Sequence, residues 1–145
     1  MKVTRILENL DDGEHCPSIG QGQFVELLAK HKALLLQSDD GAAPLSTDEF
    51  AQFTESLKLH KYEYVGGAAP RRIIPVEANV ELFTANEAPP DTLIPFHHEL
   101  AQVAEPPAYI FFYCDLPSET GGETALIDST LGVLLVVVAS VCFFA

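Results

Sequence analysis

At 145 residues the chain is long enough for one domain with a buried core, and a hydrophobic content of 48% excludes a disordered composition. Its formal net charge of −13 excludes nucleic acid as a natural partner, since phosphate contacts need clustered Lys and Arg; the acidity reads as solubility. Cys16, Cys114 and Cys142 are an odd number without a C-x-x-C, so neither a disulfide framework nor a zinc knuckle follows, and reduced thiols inside a cell are expected. Met1 to Asp12 mixes Lys2, Arg5, Glu8, Asp11 and Asp12 and lacks the apolar stretch of a secretory signal, which fits a cytoplasmic protein.

In chain order, Phe24, Leu27, Leu28 and His31 recur at helical spacing and predict a short amphipathic helix over Gln23 to Lys32. Ala33 to Gln37 is a compact apolar run that reads as a strand, ended by the turn residues Asp39-Asp40-Gly41. Ser46-Thr47-Asp48-Glu49 has the S-x-x-E form of a capping box. Phe50, Phe53 and Leu57 then supply one apolar face, so a helix is expected over Thr47 to Leu59 with these side chains in the core. Tyr62 to Pro70 is rich in turn residues, and Ile73 to Glu77 and Val80 to Thr84 read as short strands. Pro89-Pro90-Asp91 is a loop before an extended segment that carries Ile94 to Glu99. Pro106-Pro107 breaks the chain again, and the aromatic and β-branched run Tyr109 to Cys114 predicts a buried strand. Pro117 to Gly122 is a turn and Glu123 to Ile127 a further strand. Short strands punctuated by turns indicate a mixed α/β, mainly β fold of sandwich or barrel type, with its helices near the N-terminus.

The chemistry concentrates in Ile94-Pro95-Phe96-His97-His98-Glu99. His97 and Glu99 are two residues apart, and in a strand such residues share a face. One imidazole nitrogen and one carboxylate oxygen then converge on one ion. They are two of the three ligands of the two-His-one-carboxylate arrangement that holds non-haem Fe(II) and leaves positions open. The plainer reading is two surface histidines beside an acid. A second ligating His would lie far downstream, and His98 is the last histidine of the chain.

The surroundings decide between the two. Gly66-Gly67-Ala68-Ala69-Pro70-Arg71, Phe83-Thr84-Ala85-Asn86-Glu87, Ile94 to Gln102, Phe111-Phe112-Tyr113-Cys114 and Gly121-Gly122-Glu123-Thr124 follow in that order. The series closely resembles the TauD/TfdA family of Fe(II)/2-oxoglutarate-dependent dioxygenases, in the clavaminate synthase-like branch that uses H-x-E where most members use H-x-D. The resemblance runs from about Phe24 to about Ser129 and is densest from Tyr64 to Thr124. It implies a double-stranded β-helix, or jelly roll, with helices packed outside. It implies His97 and Glu99 as Fe(II) ligands and Thr124 against a carboxylate of 2-oxoglutarate, where a hydroxyl donates one hydrogen bond. Asn86 and Glu87 are candidates for the same cleft, although a loop asparagine also serves to satisfy backbone. His98 is expected to face away from His97, and Gln102 is a candidate amide behind the ligands. In intact members 2-oxoglutarate is decarboxylated to succinate while a C–H bond of a small-molecule substrate is oxidised. The distal His of the family is missing, and so is the distal Arg that pairs with 2-oxoglutarate, because no Lys or Arg follows Arg72. The expectation is therefore the N-terminal half of such an oxygenase, inactive by itself. A non-enzymatic or membrane-tethered fragment that keeps part of the scaffold is the alternative.

This divides the chain into a truncated oxygenase-like domain, 1–129, and an apolar tail, 130–145, outside the family pattern. Leu131 to Ala145 is 15 uncharged residues, short of the ~20 that span a bilayer. No basic residue flanks it to set an orientation. Three readings stand: the apolar end of a truncated or misread coding sequence, a C-terminal membrane tail, or a buried strand or helix in a shortened fold. A β-branched, uncharged, proline-free segment also favours aggregation, so the full chain is expected to be poorly soluble or membrane-associated, and removing residues 130–145 to improve solubility without giving a stable monomer.

Overall fold

In a computed structural model the elements run β1 (Lys2–Arg5), β2 (Glu14–His15), α1 (Gln21–His31), β3 (Leu34–Gln37), α2 (Thr47–Ser56), β4 (Ile73–Ile74), β5 (Leu82–Phe83), β6 (Tyr109–Phe112) and β7 (Leu135–Ala139). The structure describes residues 2–5, 14–15, 19–37, 45–64, 71–85, 89, 91–116, 119–121, 124, 126 and 135–139. Helix α1 forms on its apolar period: Phe24, Leu28 and His31 lie one turn apart and are buried. It stops at Lys32, whose φ of 65° leaves the helical region while its N–H still closes on Leu28 O at 2.8 Å. Ala33 then leads directly into β3, where Leu34, Leu35 and Leu36 are all buried. A strand apolar at consecutive positions reads as buried on both faces, and its interior place between β1 and β7 gives its backbone partners on both edges.

Helix α2 carries the expected capping box. Glu49 N–H donates to Ser46 Oγ at 3.2 Å, and Ser46 N–H donates back to Glu49 Oε2 at 2.7 Å. The helix ends at Ser56, short of the expected Leu59, because Lys58 takes φ 50° and the Thr54 and Ser56 hydroxyls bond back to Ala51 O and Phe53 O. Ser46→Ala is expected to cost about 1 kcal/mol of stability, read as a lower urea midpoint. The bonds from Ser46 N–H and its hydroxyl hold the Glu49 carboxyl below its usual range. The folded chain thus takes up this proton less readily than the unfolded one. The contribution is present above the ordinary carboxylate range and fades as pH falls through the lowered value. Ser46→Ala should flatten that part of the acid unfolding profile.

Five strands form one mixed sheet in the order β2-β1-β3-β7-β6. β1 is antiparallel to β2 and β3, with Val3 opposite Leu36. β7 is parallel to both neighbours, with Leu35 opposite Val138 on one side and Tyr109 opposite Leu135 on the other. Of the apolar tail, Leu135–Ala139 form this strand; 130–134 and 140–145 lie outside the described residues. Among the described residues no helix is long and apolar enough to cross a membrane. β4 and β5 form a separate antiparallel ribbon, Ile73 opposite Phe83, shorter than the two strands expected there; Pro75 has no N–H with which to extend it. The strand expected at Tyr109 to Cys114 exists as β6, Tyr109–Phe112, but is half-buried; among the described residues β7 is its one partner in the sheet. Thr124 and Leu126 lie in irregular backbone, not in the strand expected over Glu123 to Ile127; Glu123, Ala125 and Ile127 lie outside the described residues. The fold is mixed α/β, as expected, and its described strands make one mixed sheet and one ribbon.

The core lies between the helices and the sheet. It gathers Ile19, Phe24, Leu28, Leu34, Leu36, Phe50 and Leu57. Phe24 stacks on Phe111 of β6 at 5.6 Å, and Phe50 of α2 stacks on Tyr113 at 4.8 Å. The Tyr113 hydroxyl donates to Leu45 O, and burial, with Asp115 nearby, pushes the phenol up. Helix α2 also holds the loop of the ribbon: Glu77 N–H donates to Asp48 Oδ1 and Asn79 N–H to Glu55 Oε1, both at 3.2 Å.

Candidate metal centre

The segment that carries His97 and Glu99 is not the strand its pattern predicted. Residues 91–105 run through bends and turns. Pro95 has no N–H to offer a ladder, Leu100 takes φ 54°, and the N–H groups of Ala101 and Val103 close on His98 O and Leu100 O at 3.3 and 3.1 Å. The two side chains nevertheless meet. His97 Nε2 lies 3.3 Å from Glu99 Oε1, so the convergence expected from strand alternation is reached through a turn.

Hydrogen-bonding chemistry makes this contact informative. His97 Nδ1 lies 2.8 Å from Pro95 O. A carbonyl oxygen only accepts, so Nδ1 carries the proton and donates. Nε2 faces the carboxylate oxygen, to which it donates when the ring is doubly protonated and beside which it offers a lone pair to a metal ion when the ring is neutral. The other carboxylate oxygen, Oε2, accepts from Arg71 Nη2 at 3.2 Å. Arg71 and Glu99 are 23% and 24% exposed against 53% for His97, so the ion pair is partly shielded while the imidazole faces solvent. Leu93, Ile94 and Phe96, which lead into His97, are exposed apolar side chains.

Behind the pair stands the β4–β5 ribbon. Arg72 N–H donates to Thr84 Oγ1 at 2.9 Å and Thr84 N–H to Arg72 O at 3.0 Å, which clamps the chain immediately after Arg71. The Arg71 guanidinium carbon sits 5.8 Å from the centroid of the Tyr64 ring, and Tyr64 packs on Phe83 of β5 at 4.9 Å. Sequence reasoning placed Arg71 in a motif without giving it a role and did not single out Tyr64.

The other candidates stand apart. Thr124 is exposed in irregular backbone, and His98 and Gln102 are exposed. Asn86 and Glu87 lie outside the described residues. Among the described residues no group of three or more His, Cys, Asp or Glu is placed to hold a metal ion, so His97 and Glu99 remain a pair.

Residues 9–131 match the family described as taurine catabolism dioxygenase TauD, TfdA family. The chain belongs to the TauD/TfdA family. It is also 48% identical over 84 residues to a clavaminate synthase-like protein of Arabidopsis thaliana, a match that covers 58% of this chain and 24% of that relative. The chain therefore spans about a quarter of the curated relative it matches. No solved structure matches it.

Members of the TauD/TfdA family depend on Fe(II), and the residues present fit a divalent ion as two of its donors. Ion–donor bonds of about 2.1 Å at right angles place neighbouring donors about 3 Å apart, close to the 3.3 Å between His97 Nε2 and Glu99 Oε1. The surroundings fit as well, since ligating histidines donate their other N–H to a carbonyl and ligating carboxylates are themselves hydrogen-bonded. Pro95 O and Arg71 fill these two roles.

Proposed function

We propose that the chain carries the metal-binding part of an Fe(II)/2-oxoglutarate-dependent oxygenase, an oxidoreductase on the jelly-roll scaffold of its family, with His97 and Glu99 as ligands. The observation that carries this reading is the approach of His97 Nε2 to Glu99 Oε1 at 3.3 Å, with the other ring nitrogen held by Pro95 O. When bound, Fe(II) supplies the oxidative decarboxylation of 2-oxoglutarate to succinate and CO2 that is coupled to oxidation of a C–H bond. Of this chain's residues, the Pro95 carbonyl holds the His97 tautomer, Arg71 holds one oxygen of Glu99, and the Thr124 hydroxyl donates to a carboxylate of the co-substrate. Asn86, outside the described residues, is a candidate for the same co-substrate, and the substrate is a small molecule.

We further propose that these 145 residues bind the ion weakly and do not turn over alone. No histidine follows His98 to complete the ligand set, and no Lys or Arg follows Arg72 to pair with the far carboxylate of 2-oxoglutarate. Arg71 is engaged by Glu99. Burying a carboxylate without a cation costs several kcal/mol. Titration with Co(II) should show weak binding that His97→Ala/Glu99→Ala removes, and incubation with Fe(II), ascorbate and 2-oxoglutarate should give no succinate above background. Equal Co(II) affinity in the two forms would remove the proposed site. Sustained succinate production abolished by His97→Ala would show that the 145 residues form a complete enzyme.

A further inference from the structure

We propose that Arg71 is the positioning residue of this centre. Its guanidinium holds Glu99 by Oε2, so that Oε1 stays turned to His97 Nε2, and the Tyr64–Phe83 pair is the shelf on which the guanidinium rests. The inference rests on the reading of His97 and Glu99 as metal ligands and adds a part to it.

Glu99 needs such a restraint because its own backbone supplies none. It sits in a turn beside Leu100 at φ 54°, without the neighbouring strands that would fix a side chain on a sheet. A carboxylate there is free to rotate both oxygens toward solvent. Arg71 reaches it from 28 residues away at 3.2 Å, from a position held on its C-terminal side by the two Arg72–Thr84 bonds. The contact is to one oxygen, while the other faces the imidazole at 3.3 Å. Partial burial of both partners screens the pair less than a surface ion pair, so it restrains geometry more effectively.

The choice of arginine is also explained. A planar guanidinium donates in its plane while its face lies against an aromatic ring; an ammonium does only the first. Tyr64 presents that ring, and its hydroxyl is buried with no hydrogen-bond partner among the described residues, so its contact with Arg71 is through the ring. Phe83 backs the ring from β5, opposite Ile73 of β4. The short ribbon thereby acquires a purpose: it supplies Phe83 behind the shelf and anchors the chain that leads out of Arg71.

The test is Co(II) titration of the full chain, followed by the d–d absorption of the bound ion, with far-UV circular dichroism as the check on folding. Arg71→Ala is expected to lower Co(II) affinity about tenfold, the scale on which outer partners of metal ligands act. Arg71→Lys should keep part of the affinity, and millimolar guanidinium should restore part of it to Arg71→Ala. Tyr64→Leu should lower it by a smaller factor, about threefold. Co(II) binding by Arg71→Ala as tight as that of the unchanged chain, or tighter, overturns the positioning role; if His97→Ala/Glu99→Ala still loses binding, the metal reading survives. If that double variant binds like the unchanged chain, both fail together. An affinity loss in Arg71→Ala that neither lysine nor guanidinium recovers assigns the effect to structural damage and also overturns the inference.

Discussion

Deletion of residues 130–145 is expected to abolish cooperative unfolding of the chain. The apolar composition of the tail alone suggests the opposite, a gain in solubility. The sheet order reverses that expectation, because β7 lies between β3 and β6 and is parallel to both. Without it the backbone groups of Leu35 and Leu36 and of Tyr109 to Phe112 lose their partners on that side. Each buried group left unpaired costs about 1–3 kcal/mol, and a handful exhausts the 5–15 kcal/mol of a typical domain. The buried side chains of β3 lose an adjoining strand at the same time. A single change makes the same point more sharply: Val137→Pro removes an N–H from a strand paired on both sides, where proline is not tolerated. Thermal melts by circular dichroism and gel filtration would register a broad, low-temperature transition and aggregation in both forms. A shortened chain that melts cooperatively at the temperature of the full one would show that β7 is dispensable.

Phe24→Ala is expected to destabilise the fold by about 3–5 kcal/mol, a third or more of the stability of a typical domain. Phe24 is fully buried in α1 and stacks on Phe111 of β6, so its loss opens a cavity where helix and sheet meet. Leu28 and Leu34 in the same cluster are equally buried and have little freedom to collapse into the space. Phe96→Ala is the matched control: the same atoms are removed from a side chain that is 64% exposed, and a change within about 0.5 kcal/mol is expected. Urea denaturation with a fixed m-value separates the two. Similar midpoints for both variants would mean that the packing of α1 on β6 contributes little.

Much of the helical half was legible before the structure. α1 and α2 declare themselves by apolar spacing, and Ser46 and Glu49 mark the start of α2 with a hydrogen-bonding pair that operates within one turn. β3 announces itself by composition. The two helices depend on contacts between residues close in sequence, which is why a linear reading finds them, whereas β3 shows in its apolar composition although its partners β1 and β7 lie far along the chain. The H-x-E pair was legible for its chemistry, and the two side chains do meet; the strand expected to bring them together is a turn, because Pro95 and the left-handed Leu100 prevail over the extended pattern.

What the amino-acid sequence determined by itself, then, was the family, the two helices with the strand between them, and the candidate ligands His97 and Glu99. Tertiary structure alone decided the rest. An apolar run such as Leu135–Ala139 states that it must leave water, not where; pairing with β3 and β6 settles that through backbone groups about a hundred and about 25 residues away. Arg71 and Tyr64 became part of the centre in the same way, since a guanidinium finds its carboxylate and its aromatic shelf through space and nothing in local periodicity records the meeting.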